Sequence, residues 1–169
     1  MQCEMAKLFA KDLKCAVEAK DDGRVWCCIQ GLLVTTANIS KMLWPSKPEA
    51  KERGKKLREL FRVEEDSLLK DRKFRNHFEH FDERLDTWSK SQKDGSFSLM
   101  DGWISYSGVQ FSGEPETLLR IFHAEDLTLT FYGERYELGA VIDAISNLQE
   151  KVHRKAYELK AEHNAERKK

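Results

Sequence analysis

Apolar residues recur every three or four positions along most of the chain, and the breaks in that rhythm divide it into elements. Met5, Leu8, Phe9, Leu13, Ala16 and Val17 keep helical spacing, and Asp21, Asp22 and Gly23 then supply a stop. A second amphipathic run extends from Arg24 to about Leu43, carrying Val25, Trp26, Ile29, Leu32, Leu33, Thr36, Ile39 and Leu43 until Pro45 and Pro48 break it. The short connection makes these two predicted helices antiparallel neighbours. Pro48 and Glu49 open a third, shorter and very basic helix with Leu57, Leu60 and Phe61 as its buried edge, although Gly54 lowers its helix propensity.

Ser67 has the placement of an N-cap for a fourth helix, with Lys70 in the position where a capping box would have Glu, and this helix is expected to run to about Ser89. Within it Phe74, Phe78, Phe81, Leu85 and Trp88 follow at helical steps and predict one buried side. Asn76, Glu79, His80 and Glu83 fall on the opposite face, with Arg75 and Asp82 on one flank and His77 and Arg84 on the other.

After a turn or loop at Gln92 to Ser96 the texture changes. From Phe97 to Leu138 glycines recur, and β-branched or aromatic residues alternate with polar ones, as in Trp103 to Ser107 and Leu127 to Tyr132. Tyr132-Gly133-Glu134-Arg135-Tyr136 reads as a tight return. Three or four short antiparallel strands are expected, as one sheet or a pair of hairpins. Helical period returns after Gly139 with Val141, Ile142, Ile145, Leu148 and Val152, a stripe that Tyr157 and Leu159 extend; the final charged turns are expected to fray. The fold class that follows is mainly α: an up-and-down helical bundle with a small antiparallel β insertion before the last helix. It forms a single domain over 1–165, with helices over 1–90, the insertion over 97–138 and the closing helix over 139–165, ahead of a basic tail at 166–169.

Composition narrows the function classes. The 169 residues, 40% hydrophobic, suffice for one domain with a real core. Its 29 basic and 29 acidic residues cancel, so no global field holds a polyanion and nucleic acid must be met by a local patch. The basic residues concentrate between Lys47 and Arg75. Cys3, Cys15, Cys27 and Cys28 contain no CxxC pair and read as reduced thiols. No apolar run approaches the roughly 18 residues of a membrane span and no signal-peptide pattern opens the chain, so a cytoplasmic protein without membrane contact is expected.

No phosphate-cradling GxxxxGK[ST], GxGxxG or GxSxG is present. His77 and His80 lie near Asp82, Glu83 and Asp86 but diverge around the helix, so neither a metal nor any cofactor is expected. The aromatic residues of the strand region, Trp103 and Tyr106 among them, are read as packing against helices, because basic residues are sparse there.

The segment Arg75-Asn76-His77-Phe78-Glu79-His80 resembles the signature of the HEPN superfamily, in which an arginine, usually followed by a polar residue, precedes a histidine with four to six intervening positions on a bundle helix. Arg75 matches the arginine, Asn76 the polar position and His80 the histidine; the same spacing recurs from Arg72 to His77. The resemblance implies a helical bundle that pairs with itself, with two motifs facing each other across a dimer cleft and cleaving RNA without a metal, often as a toxin or phage-defence component under a regulatory partner protein. Arg75 and His80 are then catalytic, with Asn76, His77 and Glu79 in support. The chemistry is consistent with those types. Attack by the RNA 2′-hydroxyl needs a general acid or base near neutral pH, for which histidine is suited, and a fixed cation for the phosphorane-like charge, for which arginine is suited. A five-residue step sets Arg75 and His80 about 140° apart on one helix, and a symmetric dimer repairs this by offering one residue from each copy. Lys55, Lys56, Arg58 and Arg72 are the expected RNA-contacting residues. The alternative is a non-catalytic dimerisation or protein-interaction module of the same bundle type, in which these charges form a solvated helix face.

Overall fold

A computed structural model of the protein describes residues 1–91, 101–106 and 118–167. It is mainly helical, with a small four-stranded sheet before the last helix. α1 (Gln2–Glu18) and α2 (Asp22–Leu43) share the most extensive interface, burying Ala6, Leu13 and Ala16 of the first with Val25, Ile29, Leu32 and Ile39 of the second. The stop expected at Asp21 to Gly23 comes slightly earlier, at Ala19 and Lys20 (φ 52°), and Asp22 and Gly23 already belong to α2. The Asp21 carboxylate accepts from the Arg24 backbone N–H at 3.0 Å and so caps α2.

Pro48–Ala50 forms a 3-10 turn that leads into α3 (Lys51–Phe61). Leu57 and Phe61 are half-buried against the core, whereas Leu60 of the predicted buried edge is exposed. Gly54 is buried in this helix, and a Cβ there would collide with the Pro45 ring and lie 2.7 Å from the Leu43 carbonyl oxygen. The glycine that lowers helix propensity is what lets α3 fold back over the end of α2.

The single helix expected from Ser67 to Ser89 is three pieces: a 3-10 turn at Leu68–Lys70, α4 (Lys73–Glu79) and α5 (Phe81–Ser91). Ser67 does cap, accepting from the Leu69 N–H, but Asp71 starts α4 anew by accepting from the Lys73 N–H at 2.7 Å. At His80 the backbone leaves helical geometry (φ −105°, ψ 41°), though Arg84 N–H still reaches the His80 carbonyl at 3.1 Å. The break re-aims the apolar stripe. Phe74 and Trp88 are buried, Phe78 and Phe81 are half-buried, and Leu85, predicted inside, is 38% exposed.

β1 (Trp103–Ser105), β2 (Arg120–His123), β3 (Thr128–Phe131) and β4 (Glu134–Glu137) form one sheet in that order. β2, β3 and β4 are antiparallel as expected, but β1 runs parallel to β2, Trp103 pairing with Ile121. A parallel pair cannot be joined by a tight turn and needs about a dozen residues or more between its strands, a separation that Ser105 and Arg120 have in the sequence. The β3–β4 return turns through Tyr132 and Gly133, both at positive φ (48° and 76°), as a two-residue hairpin turn demands. The predicted turn at 92–96, and the strand pattern over 97–100 and 107–117, lie outside the described residues.

α6 (Leu138–Glu166) returns across α1 and α3. Its stripe of Val141, Ile145 and Leu148 is buried, with Ile142 and Val152 packed beside it. Tyr157 and Leu159 do not extend that stripe; both are exposed, and the turns expected to fray remain helical to Glu166.

Candidate functional site

The site is built where α4 lies on the β3–β4 hairpin. Phe74 stacks on Tyr136 with ring centres 4.5 Å apart, and Phe78 leans on Phe131 at 5.8 Å. Between them the His77 ring lies nearly parallel to Phe131, 4.8 Å away and 11° from coplanar, and meets Phe74 edge-on. Arg120 reinforces the neighbouring face: its guanidinium, paired with Asp101 at 2.5 and 2.7 Å, lies over the rings of Trp26, Phe78 and Phe81.

This packing separates the two histidines that the sequence places three apart. His77 is buried, its side chain 11% exposed, and its Nε2 lies 3.3 Å from Glu134 Oε2, while Glu134 Oε1 accepts from Lys73 Nζ at 2.8 Å. Among the described residues its Nδ1 is buried without a hydrogen-bond partner. A neutral ring donating from Nε2 fits that geometry, whereas a second N–H at Nδ1 would be stranded. Burial holds the His77 pKa below the ordinary histidine value, opposed by the hydrogen bond and charge of Glu134. The Lys73 hydrogen bond in turn holds the Glu134 carboxyl below its ordinary value.

His80 stands outside this cluster. At the break between α4 and α5 its side chain is 55% exposed, and its Nδ1 lies 3.5 Å from the Glu83 carboxylate. Arg75 is 19% exposed and occupied: its guanidinium pairs with Glu79 and donates to Asn76 Oδ1 at 3.2 Å. The structure thus brings Arg75, Asn76 and Glu79 together, sets His80 at the adjacent break, and takes His77 into the hairpin interface. Among the described residues no hydrogen bond or ion pair joins Arg75 to His80.

The expected RNA-contacting residues divide in the same way. Lys55 and Lys56 lie on the exposed side of α3, each 3.9 Å from a carboxylate one turn away, Glu59 and Glu52. Arg58 is structural in its contacts, held by Glu65 at 2.6 Å and the Leu43 carbonyl and placed over the Trp44 ring. Arg72 is half-buried at the start of α4.

A cavity of about 150 Å³ opens beside His77, between α5 and the hairpin. Its makers, Arg84, Thr87 and Trp88 from one side and Phe131, Tyr132 and Glu134 from the other, were not indicated by any motif. The nearest signal was Arg84 sharing a flank with His77; Glu134, the partner of His77, lies 57 residues further along the chain, beyond the reach of periodicity. Among the described residues no group of three or more His, Cys, Asp or Glu side chains is placed to hold a metal, and no helix is long and apolar enough to cross a membrane. The chain matches no protein-family model, no curated protein and no solved structure.

Proposed function

We propose that the chain is a HEPN-like, metal-independent endoribonuclease that works in the cytoplasm as a homodimer, with Arg75 and His80 catalytic. The observation that supports it is the arrangement at the α4–α5 break: an exposed His80 five residues after an Arg75 whose guanidinium is held by Asn76 and Glu79. On this reading the helical core is an up-and-down bundle of that family and the sheet is an addition to it.

Strand cleavage through the 2′-hydroxyl needs two proton transfers. One group takes the proton from the attacking 2′-oxygen, and another gives a proton to the 5′-oxygen that leaves, so the products are a 2′,3′-cyclic phosphate and a 5′-hydroxyl. Each chain offers a single exposed motif histidine, and a twofold axis supplies the second. Arg75, donating to a nonbridging phosphate oxygen, stabilises charge on the pentacoordinate phosphorus, and Asn76 holds the phosphate or ribose. Glu79 competes with the phosphate for Arg75, so binding RNA exchanges one anion for another on the same guanidinium.

A second reading is a non-catalytic dimerisation or partner-docking module, favoured by the Glu79 carboxylate that already neutralises Arg75 and by the zero net charge. Wild type, Arg75→Ala and His80→Ala, shown to be equally folded and equally dimeric, are compared on mixed RNA in excess chelator. The nuclease reading expects cleavage by the wild type and a loss of about 10²-fold or more in each variant. No cleavage by the wild type, or equal cleavage by all three, assigns the chain to the interaction module.

A further inference from the structure

We propose that the cavity between α5 and the β3–β4 hairpin receives one unpaired nucleobase of the RNA strand whose phosphate lies at His80. The assignment rests on the nuclease reading and adds to it a site for substrate selection.

Size comes first. A volume of about 150 Å³ is too small for the roughly 300 Å³ and more of cofactor and drug-sized pockets, and it is on the scale of a single heterocycle. The lining is of two kinds. Trp88, Phe131 and Leu119 make an apolar floor, while Arg84, Thr87 and Glu134 stand at the rim. Single-stranded RNA is recognised in this manner, with base faces against apolar or aromatic groups and base edges on hydrogen-bonding groups.

The rim presents both halves of a base edge's hydrogen-bonding pattern. Arg84 is a donor only, and among the described residues no ion pair engages it. Glu134 is a fixed acceptor, since Lys73 and His77 each address one of its oxygens and hold the carboxylate in place. Thr87 donates its hydroxyl proton to the Glu83 carbonyl at 2.8 Å, which leaves the oxygen lone pairs to accept from an amino or imino group. A base carbonyl or ring nitrogen suits Arg84, and an N–H suits Glu134 or Thr87. A simple anion would meet Glu134, and a simple cation would meet Arg84, so neither matches the rim as well as a neutral heterocycle.

Position links the cavity to the scissile bond. His80 immediately precedes α5, Arg84 and Thr87 lie on that helix four and seven residues further on, and the Arg84 N–H to His80 carbonyl bond ties His80 to its first turn. Thr87 is therefore about 10 Å along the helix axis from His80, within reach of a neighbouring nucleotide.

The test uses fluorescein-labelled hexanucleotides with 2′-O-methyl groups, which cannot be cut, in uridine, adenosine, cytidine and abasic forms. Anisotropy titrations are made with wild type, Thr87→Leu, Arg84→Gln and His80→Ala, with thermal melts confirming that all fold alike. The proposal expects at least one base-bearing oligomer to bind wild type tenfold or more tightly than the abasic one, which carries the same phosphates. Thr87→Leu, which fills the cavity and removes the acceptor, and Arg84→Gln are expected to abolish that difference, whereas His80→Ala keeps it. Equal binding of base-bearing and abasic strands, or a base preference that Thr87→Leu leaves intact, overturns the proposal. Cleavage of ordinary RNA by wild type alongside equal binding removes the base site and leaves the nuclease reading standing. A base preference that depends on Thr87 in a protein that cuts nothing removes the nuclease reading and leaves the base site.

Discussion

His77 and His80 show how far two neighbouring residues of one type can be driven apart. His80 keeps the exposed place that the helical wheel predicts, while His77 is enclosed by Phe131, Phe74 and the Glu134 carboxylate. Burial makes native His77 a weaker proton acceptor than the same residue in the unfolded chain, so the unfolded state binds more protons below the ordinary value of 6.5. The stability contributed by keeping His77 neutral is present above that pH and is lost as pH falls through the folded value; Glu134, whose folded value lies below its ordinary 4.5, adds a further loss at lower pH. Urea midpoints at about pH 7.5 and about pH 5.5 are expected to drop for wild type and to drop less for His77→Phe. An equal drop in both would assign the acid sensitivity elsewhere. Glu79 offers a second check at this scale, because it occupies the guanidinium that a phosphate would need. Glu79→Gln is expected to tighten binding of uncleavable single-stranded RNA several-fold at low salt and to steepen the salt dependence by about 0.7, the value of one added phosphate contact. Unchanged affinity would mean that Arg75 does not meet phosphate.

Among the elements, α3 and the α4–α5 pair depart from expectation for opposite reasons. Propensity alone says that Gly54→Ala should stabilise α3 by about 1 kcal/mol. The structure reverses the sign, since the added carbon meets the Pro45 ring and the Leu43 backbone oxygen, neither of which is the free end of a side chain. Overpacking of this kind costs about 1–3 kcal/mol, and the expected net effect is a loss of up to about 2 kcal/mol, read as a lower thermal midpoint for Gly54→Ala. A raised midpoint would show that the α2–α3 turn relaxes freely. In α4 and α5 the apolar period is continuous in sequence, yet the chain breaks at His80. α4 packs on the hairpin through Phe74 and Phe78, and beyond the break α5 buries Trp88 beside Phe131 of the same hairpin.

For the molecule as a whole, the core is set by α1, α2 and the first half of α6, to which the sheet adds Phe122, Leu129 and Phe131. The last turns of α6 take no part: residues 156–166 are exposed throughout, Tyr157 at 78%. A chain ending at Glu158 is therefore expected to melt within about 0.5 kcal/mol of the full chain, the range of exposed changes that touch no buried feature. A larger loss, accompanied by a lower oligomeric mass in light scattering, would place the end of α6 in a subunit interface. What the sequence determined by itself is the helical framework: the presence and order of α1 and α2, the buried stripe of α6 from Val141 to Leu148, a tight return beginning at Tyr132, and the solvent-facing place of His80. Those features are local, since each follows from a period, a cap or a turn residue within a dozen positions. Only the tertiary structure decided the parallel β1–β2 pairing, the break at His80, the enclosure of His77 and the cavity beside it. Each of these joins residues far apart in the chain, where the choice depends on which surfaces meet and which buried polar groups find partners, and no local pattern records that outcome.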